Sequence, residues 1–258
     1  MFVDSHCHLN YKGLVEEQAT VLARARAAGV TTMVNIATRE SEWDAVLGVA
    51  EREADVFATV GIHPHEADAH AHVDRGKLVA RAAHPRVVGI GETGLDYYYD
   101  YSDRGRQASS FRAHIAAARE TGLPLIVHTR DAEADTLAIL SDEMAAGRFT
   151  GVIHCFTASQ AFADAALELG LYISLSGIVT FKNARDLQAT AAAVPGDRLL
   201  IETDAPFLAP VPNRGRPCEP AFVADTARFL AALRGVEVET LAETTTANFR
   251  RLFTRVPA

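Results

Sequence analysis

Cysteine is scarce in this chain. The three residues, Cys7, Cys155 and Cys218, are too few and too scattered to staple a fold, which excludes a disulfide-built scaffold and points to reduced thiols. Long apolar runs are lacking too. None approaches the roughly 20 residues that span a bilayer, and the amino terminus has neither the basic nor the apolar stretch of a secretory signal. A cytoplasmic protein with no membrane partner is therefore expected, and nothing marks an obligate protein partner. Basic residues are outnumbered, 25 Lys and Arg against 33 Asp and Glu, for a net charge of −8. That excludes a protein coating nucleic acid through a basic face. It leaves open an enzyme that meets one nucleic-acid end in a pocket whose cations supply the positive charge. Phosphate-cradling glycine loops, a dinucleotide fingerprint and a Gly-x-Ser-x-Gly elbow are also missing from any supporting context. Serine catalysis is not indicated.

Apolar residues make up 48% of the 258, ample for a large core, and no Gly/Ser/Pro-rich linker divides them. Short β-rich runs alternate with Ala/Arg/Glu-rich stretches of helical period. Strands are expected at Phe2–His6, Thr31–Ile36, Phe57–Gly61, Val87–Gly91, Leu125–His128, Gly151–His154, Tyr172–Leu175 and Leu199–Glu202. Helices are expected at Glu17–Ala28, Glu42–Ala54, Arg104–Thr121, Ala132–Ala145, Ala161–Leu169, Arg185–Ala193 and Ala221–Leu233, with Gly29, Gly122 and Gly170 placed as carboxyl-terminal caps. Eight β/α units in a chain of this length favour an α/β fold, a single-domain (β/α)8 TIM barrel over residues 1–258.

The first strand ends on His6 and, two residues on, His8. Residues i and i+2 of a strand face the same side, and neutral imidazole is the commonest protein metal ligand. Further metal-competent residues stand at the carboxyl ends of other strands: Glu92, His128, His154 and Asp204. In a closed barrel the eighth strand adjoins the first, so Asp204 should neighbour the histidine pair. Four imidazoles and two carboxylates exceed what one tetrahedral ion needs. The economical arrangement is two divalent ions bridged by Glu92, with His6, His8 and Asp204 completing one site and His128 and His154 the other. Taken singly, a strand-end histidine is more often structural; six such residues at one barrel face are hard to dismiss together. Two dications against two carboxylates leave a net positive charge suited to a phosphate ester. Paired ions can activate water and hold both attacking and leaving oxygens. Asp204 and Glu92 are the candidate catalytic groups, Asp204 as acceptor of the water's proton.

His63, Arg130, Lys182, Arg214 and Arg216 are candidate substrate contacts, the four cations as phosphate grips. His63 and its neighbour His65 are equally open to a structural reading. Tyr97, Phe156 and Phe207 lie near ligands in sequence and could stack on a base, although packing or lining the mouth is the commoner role for each, and Tyr97-Tyr98-Tyr99 could equally be a structural loop. Cys7 and Cys155 should point away from the histidines beside them.

With these residues in view, the chain resembles the TatD family of metal-dependent deoxyribonucleases, in the amidohydrolase-like superfamily. The matching segments include Asp4-Ser5-His6-Cys7-His8-Leu9, Gly61-Ile62-His63-Pro64-His65, Gly91-Glu92-Thr93-Gly94-Leu95-Asp96-Tyr97 and Val127-His128. His154-Cys155-Phe156-Thr157, Ser176 to Asn183, Glu202-Thr203-Asp204-Ala205-Pro206 and Asn248-Phe249 extend the match over essentially the whole chain. The resemblance implies the same six ligands, His6, His8, Glu92, His128, His154 and Asp204. It also implies hydrolysis of DNA phosphodiesters, exonucleolytic from a 3′ end, and a single-stranded DNA end as partner. Ala158 and Cys218 depart from the family's usual glycine and asparagine, and Cys218 is expected to bear on the substrate rim.

The imidazoles favour zinc, manganese, iron or cobalt over magnesium on ligand preference, whereas the resemblance implies magnesium. Two divalent ions (Mg, Mn or Zn) are therefore the expected cofactors. The alternative enzyme is a hydrolase of another ester, such as D-aminoacyl-tRNA. A non-catalytic metal-binding scaffold is the alternative of another class.

Overall fold

A computed structural model describes residues 1–257. Eight strands, β1 (Phe2–Cys7), β2 (Val30–Asn35), β3 (Val56–Val60), β4 (Val87–Asp96), β5 (Leu125–Arg130), β6 (Gly151–Ile153), β7 (Tyr172–Leu175) and β8 (Leu199–Ile201), pair in parallel and in chain order. The helices between them are α1 (Gln18–Ala27), α2 (Trp43–Arg52), α3 (Arg75–Ala82), α4 (Arg104–Thr121), α5 (Glu133–Ala146), α6 (Gln160–Glu168), α7 (Arg185–Ala193) and α8 (Val223–Arg234), and α9 (Val238–Leu252) follows. The result is the expected α/β architecture, a nearly closed (β/α)8 barrel.

Closure uses residues just beyond β8. Asp204 N–H donates to the His6 carbonyl at 2.9 Å and His8 N–H to the Ala205 carbonyl at 2.7 Å, so a bridge joins Cys7 to Ala205. The buried Asp4 carboxylate reinforces the seam, accepting from Thr203 N at 2.9 Å and Thr203 Oγ1 at 2.6 Å.

Two helices were not anticipated. In α3 a glycine and two arginines obscure the apolar face. In α9 three successive threonines, Thr244–Thr246, are poor helix formers, yet the helix buries Leu241, Phe249 and Leu252. Strands β4 and β5 run further than expected, because they keep pairing past the metal-competent residues: Gly94 opposite His128, Asp96 opposite Arg130. Gly94, at φ +140°, permits this; a Cβ there would collide with the His128 carbonyl.

The barrel interior is apolar at the amino ends of the strands. Val3, Val34, Phe57, Val88, Ile126, Val152, Tyr172 and Leu200, one from each strand, form a cluster with Phe249, Leu252, Phe253 and Val256. Helix α9 thus plugs that end. Among the described residues no helix is long and apolar enough to cross a membrane.

Candidate metal centre

The opposite, carboxyl end of the barrel gathers the polar residues. His6 and His8 bring their Nε2 atoms within 3.3 Å of each other. Asp204 Oδ1 lies 3.5 Å from the first and 3.3 Å from the second, and Glu92 Oε2 lies 3.4 and 3.9 Å from them. The other oxygen of Glu92 faces a second group: Oε1 is 2.8 Å from His154 Nε2 and 3.1 Å from His128 Nδ1. The rings of His6 and His154 stack at 3.9 Å, so the two groups share a wall. All six residues singled out by strand position therefore meet, and one carboxylate is divided between both halves.

The electrostatics attract positive charge. Burial alone would raise the Glu92 carboxyl, but the imidazoles of His154 and His128 outweigh it and hold the group well below the usual carboxylate range. Burial likewise works against the Asp204 carboxylate, and His8 and His6 overcome it. Burial lowers His154, yet Glu92 and Glu202 hold it well above an ordinary imidazole.

Two outer carboxylates were missed as site residues. Glu202 is fully buried and its Oε1 accepts from His154 Nδ1 at 3.2 Å. Asp96 Oδ2 accepts from His128 Nε2 at 3.0 Å and from His65 Nε2 at 2.8 Å. A carboxylate that takes a ring N–H fixes the tautomer and turns the other ring nitrogen, Nε2 of His154 and Nδ1 of His128, toward the centre. Both had a signal in the sequence. Asp96 shares a face of β4 with Glu92 at period two, and Glu202 precedes Asp204 by two residues.

His63 also enters the cluster, its Nε2 3.5 Å from Glu92 Oε1. Its Nδ1 accepts the His65 N–H at 3.1 Å, so the neutral ring carries its proton on Nε2 and presents a donor to the cavity. Burial keeps it neutral, holding it well below the usual imidazole range. His114, fully buried in α4, sets this loop by accepting the Ile62 N–H at 2.9 Å.

A cavity of about 610 Å³ opens above the centre, and His63, Arg130, Arg39, Tyr11, Tyr99 and Phe207 line it. Arg39 and Tyr11 were overlooked; Arg39 stands four residues past β2, where the strand-end rule would have found it. Lys182, Arg214 and Arg216 are exposed and not part of this wall; Arg214 lies over the Phe181 ring at 4.0 Å. Phe156 follows the packing reading: it is 2% exposed and packed in the core, so it offers no stacking face. Two side-chain expectations are corrected. Cys155 does not point away: it lines the cavity, its Sγ 3.2 Å from Ser176 Oγ. Cys218 is fully buried under the turn after Asp204, its N–H donating to the Pro206 carbonyl, and so does not form the rim.

The residues present fit divalent cations. Nitrogen and carboxylate donors converge in three overlapping groups, His6-His8-Glu92, His63-Glu92-His128 and His6-His154-Glu202, each with donor atoms within 4.8 Å of one another. The Nδ1 atoms of His6 and His8 and Glu202 Oε2 are buried with no protein partner, which is costly for an uncompensated polar site. His63 belongs to this set by distance and not by protonation, as argued above.

The family model "TatD related DNase" matches residues 3–254. An uncharacterized metal-dependent hydrolase of Escherichia coli K12, YcfH, is 48% identical over 97% of this chain and 95% of its own length. A protein of Erwinia tasmaniensis named 3'-5' ssDNA/RNA exonuclease TatD is 35% identical over 97% of this chain and 98% of its own. Among solved structures, the Escherichia coli TatD homologue YjjV superposes with a TM-score of 0.92 at 29% identity, covering 99% of this chain and 98% of its own.

Proposed function

The chain belongs to the TatD related DNase family and is a metal-dependent hydrolase; from that premise we propose that it removes nucleotides from the 3′ end of single-stranded DNA. The observation that carries the reading is the division of Glu92, one oxygen toward His6 and His8 and the other toward His128 and His154. Such a carboxylate is placed to bridge two cations.

In this reading His6, His8 and Asp204 would hold one divalent ion, His128 and His154 the other, and Glu92 both, with magnesium, manganese or zinc as the ion. When bound, the ions would supply Lewis acidity toward the phosphodiester and lower the pKa of the attacking water. Asp204 would accept a proton from the attacking water. Its side chain is 14% exposed against 4% for Glu92, so it is the carboxylate of the set that water reaches. His63 Nε2–H would donate a hydrogen bond to a phosphate oxygen, and Arg130 supplies a fixed positive charge at the cavity wall. Lys182, Arg214 and Arg216 would meet only a strand that runs on past the cavity. Glu202 and Asp96 keep two imidazoles in the tautomers the centre needs.

The test is nucleotide release from end-labelled single-stranded DNA after chelation, then with magnesium, manganese or zinc restored, beside Asp204→Asn. Stepwise release that depends on the ion and falls about 10²- to 10⁴-fold in the variant is expected. No release with any ion would overturn the nuclease reading and turn attention to other esters, aminoacyl-tRNA first.

A further inference from the structure

Exposed aromatic rings are unusual on a soluble domain unless something covers them. Among the described residues the exposed ones are Tyr98, Tyr99, Tyr101 and Phe207, at 56%, 44%, 65% and 48%. All four lie on loops that leave the carboxyl ends of β4 and β8, at the mouth of the cavity. Three of them form one assembly. Tyr99 and Tyr101 stack face to face, 5.2 Å apart and 11° from parallel. The Arg130 guanidinium lies 3.9 Å over the Tyr98 ring and 4.9 Å from that of Tyr99. His65 meets Tyr101 edge-on at 4.9 Å and Tyr99 at 5.4 Å. The neighbouring Tyr97 is used otherwise, its hydroxyl donating to Asp135 Oδ2 and its face covered by Arg104. So within this loop the rings not engaged by Asp135 and Arg104 are the exposed ones, and Tyr99 among them lines the cavity.

The assembly is also anchored to the centre. Asp96 Oδ1 accepts the backbone N–H groups of Tyr98 and Tyr99, at 3.0 and 3.2 Å, while its Oδ2 accepts from His128 and His65. One carboxylate therefore fixes both the tyrosine loop and a residue of the metal centre, and the distance between platform and centre is set by the fold.

We propose that Tyr98, Tyr99 and Tyr101, with Arg130, form a stacking platform for unpaired bases of the nucleic-acid strand whose end enters the cavity, and that this platform makes the protein select single strands. The proposal rests on the nuclease reading above. Planar rings capped by a guanidinium match the π-face of any base, which explains tolerance of sequence. A duplex hides those faces inside its stack. It would have to be held by its two phosphate backbones, while the rings here would find no base face to stack on. Of the two arginines that line the cavity, Arg39 and Arg130, the second is itself part of the stack.

The test measures fluorescence anisotropy of labelled, cleavage-resistant phosphorothioate oligothymidylate on the purified protein, against an abasic strand of equal length and charge. The wild type should bind the base-bearing strand at least about tenfold more tightly than the abasic one. Tyr98→Ala with Tyr101→Ala should remove most of that difference, and Tyr98→Phe with Tyr101→Phe should keep it. A wild type that degrades single-stranded DNA but binds both strands alike overturns the platform and leaves the nuclease reading standing, with no variant needed. An alanine pair that retains the full difference overturns it as well. A wild type that neither binds nor degrades any oligonucleotide overturns the nuclease reading, and the platform with it.

Discussion

The two ends of this barrel are built from the same eight strands and follow opposite rules. At the amino ends every strand gives an apolar side chain to the interior, and Phe249, Leu252 and Phe253 of the carboxyl-terminal segment close it. No charged group is buried in that cluster, and burial of apolar surface dominates the interaction. At the carboxyl ends His6, His8, Glu92, His154 and Glu202 are nearly as inaccessible, yet imidazoles crowd one another and ring nitrogens lack partners. Charged and polar groups in such a place cost stability unless a counter-charge answers them. The apolar end holds the barrel together, so the polar end can keep an arrangement that only a cation completes.

If that division holds, damage to one end should leave the other's property intact. Phe253, fully buried and stacked on Phe249 at 4.5 Å, belongs to the plug. Phe253→Ala should cost about 3–5 kcal/mol of unfolding free energy, read by denaturant titration, while the folded fraction keeps its metal content. Loss of metal at unchanged stability would place Phe253 in the wrong half of the comparison.

His114 supports the polar end from outside, through its bond to Ile62 N–H. Burial, opposed only in part by the Ser110 carbonyl, pushes it down to about 4 from an ordinary value of 6.5. The folded protein therefore holds the neutral form. Its contribution is fully present above the unfolded value and is lost as the pH falls from about 6.5 toward 4, on the order of 3 kcal/mol in all. Unfolding free energy measured across that window should drop more steeply in the wild type than in His114→Gln. Equal slopes would remove His114 as the cause.

The smallest effect is expected from the outer carboxylates. Glu202→Gln or Asp96→Asn should weaken metal affinity about 10- to 100-fold, by isothermal titration, with little change in stability. A large fall in stability and unaltered affinity would make them part of the scaffold.

Much of this was legible in the sequence, for a physical reason. Strands buried on both faces read as apolar runs, so a polar residue at the end of one, such as Glu92 after Val87-Val88-Gly89-Ile90-Gly91 or His128 after Leu125-Ile126-Val127, stands out. The family resemblance rested on those same residues. Position at a strand end does not reveal what the second nitrogen of an imidazole touches, so Asp96 and Glu202 passed as motif letters. Nor does it separate rings of one type: of Tyr97, Tyr98 and Tyr99, the first is pinned by Asp135 and the others are exposed. Helix α9 escaped because Thr244–Thr246 argue against a helix locally, and packing under the barrel overrides that preference.

The claim that one buried carboxylate unites two cation sites is tested most directly by counting ions. Metal-depleted wild type and Glu92→Gln would be titrated with manganese and the bound ions per chain read by elemental analysis. The account expects two ions in the wild type and, in the variant, loss from both sites together. A wild type that saturates at one ion, or a variant that still holds two, would contradict it.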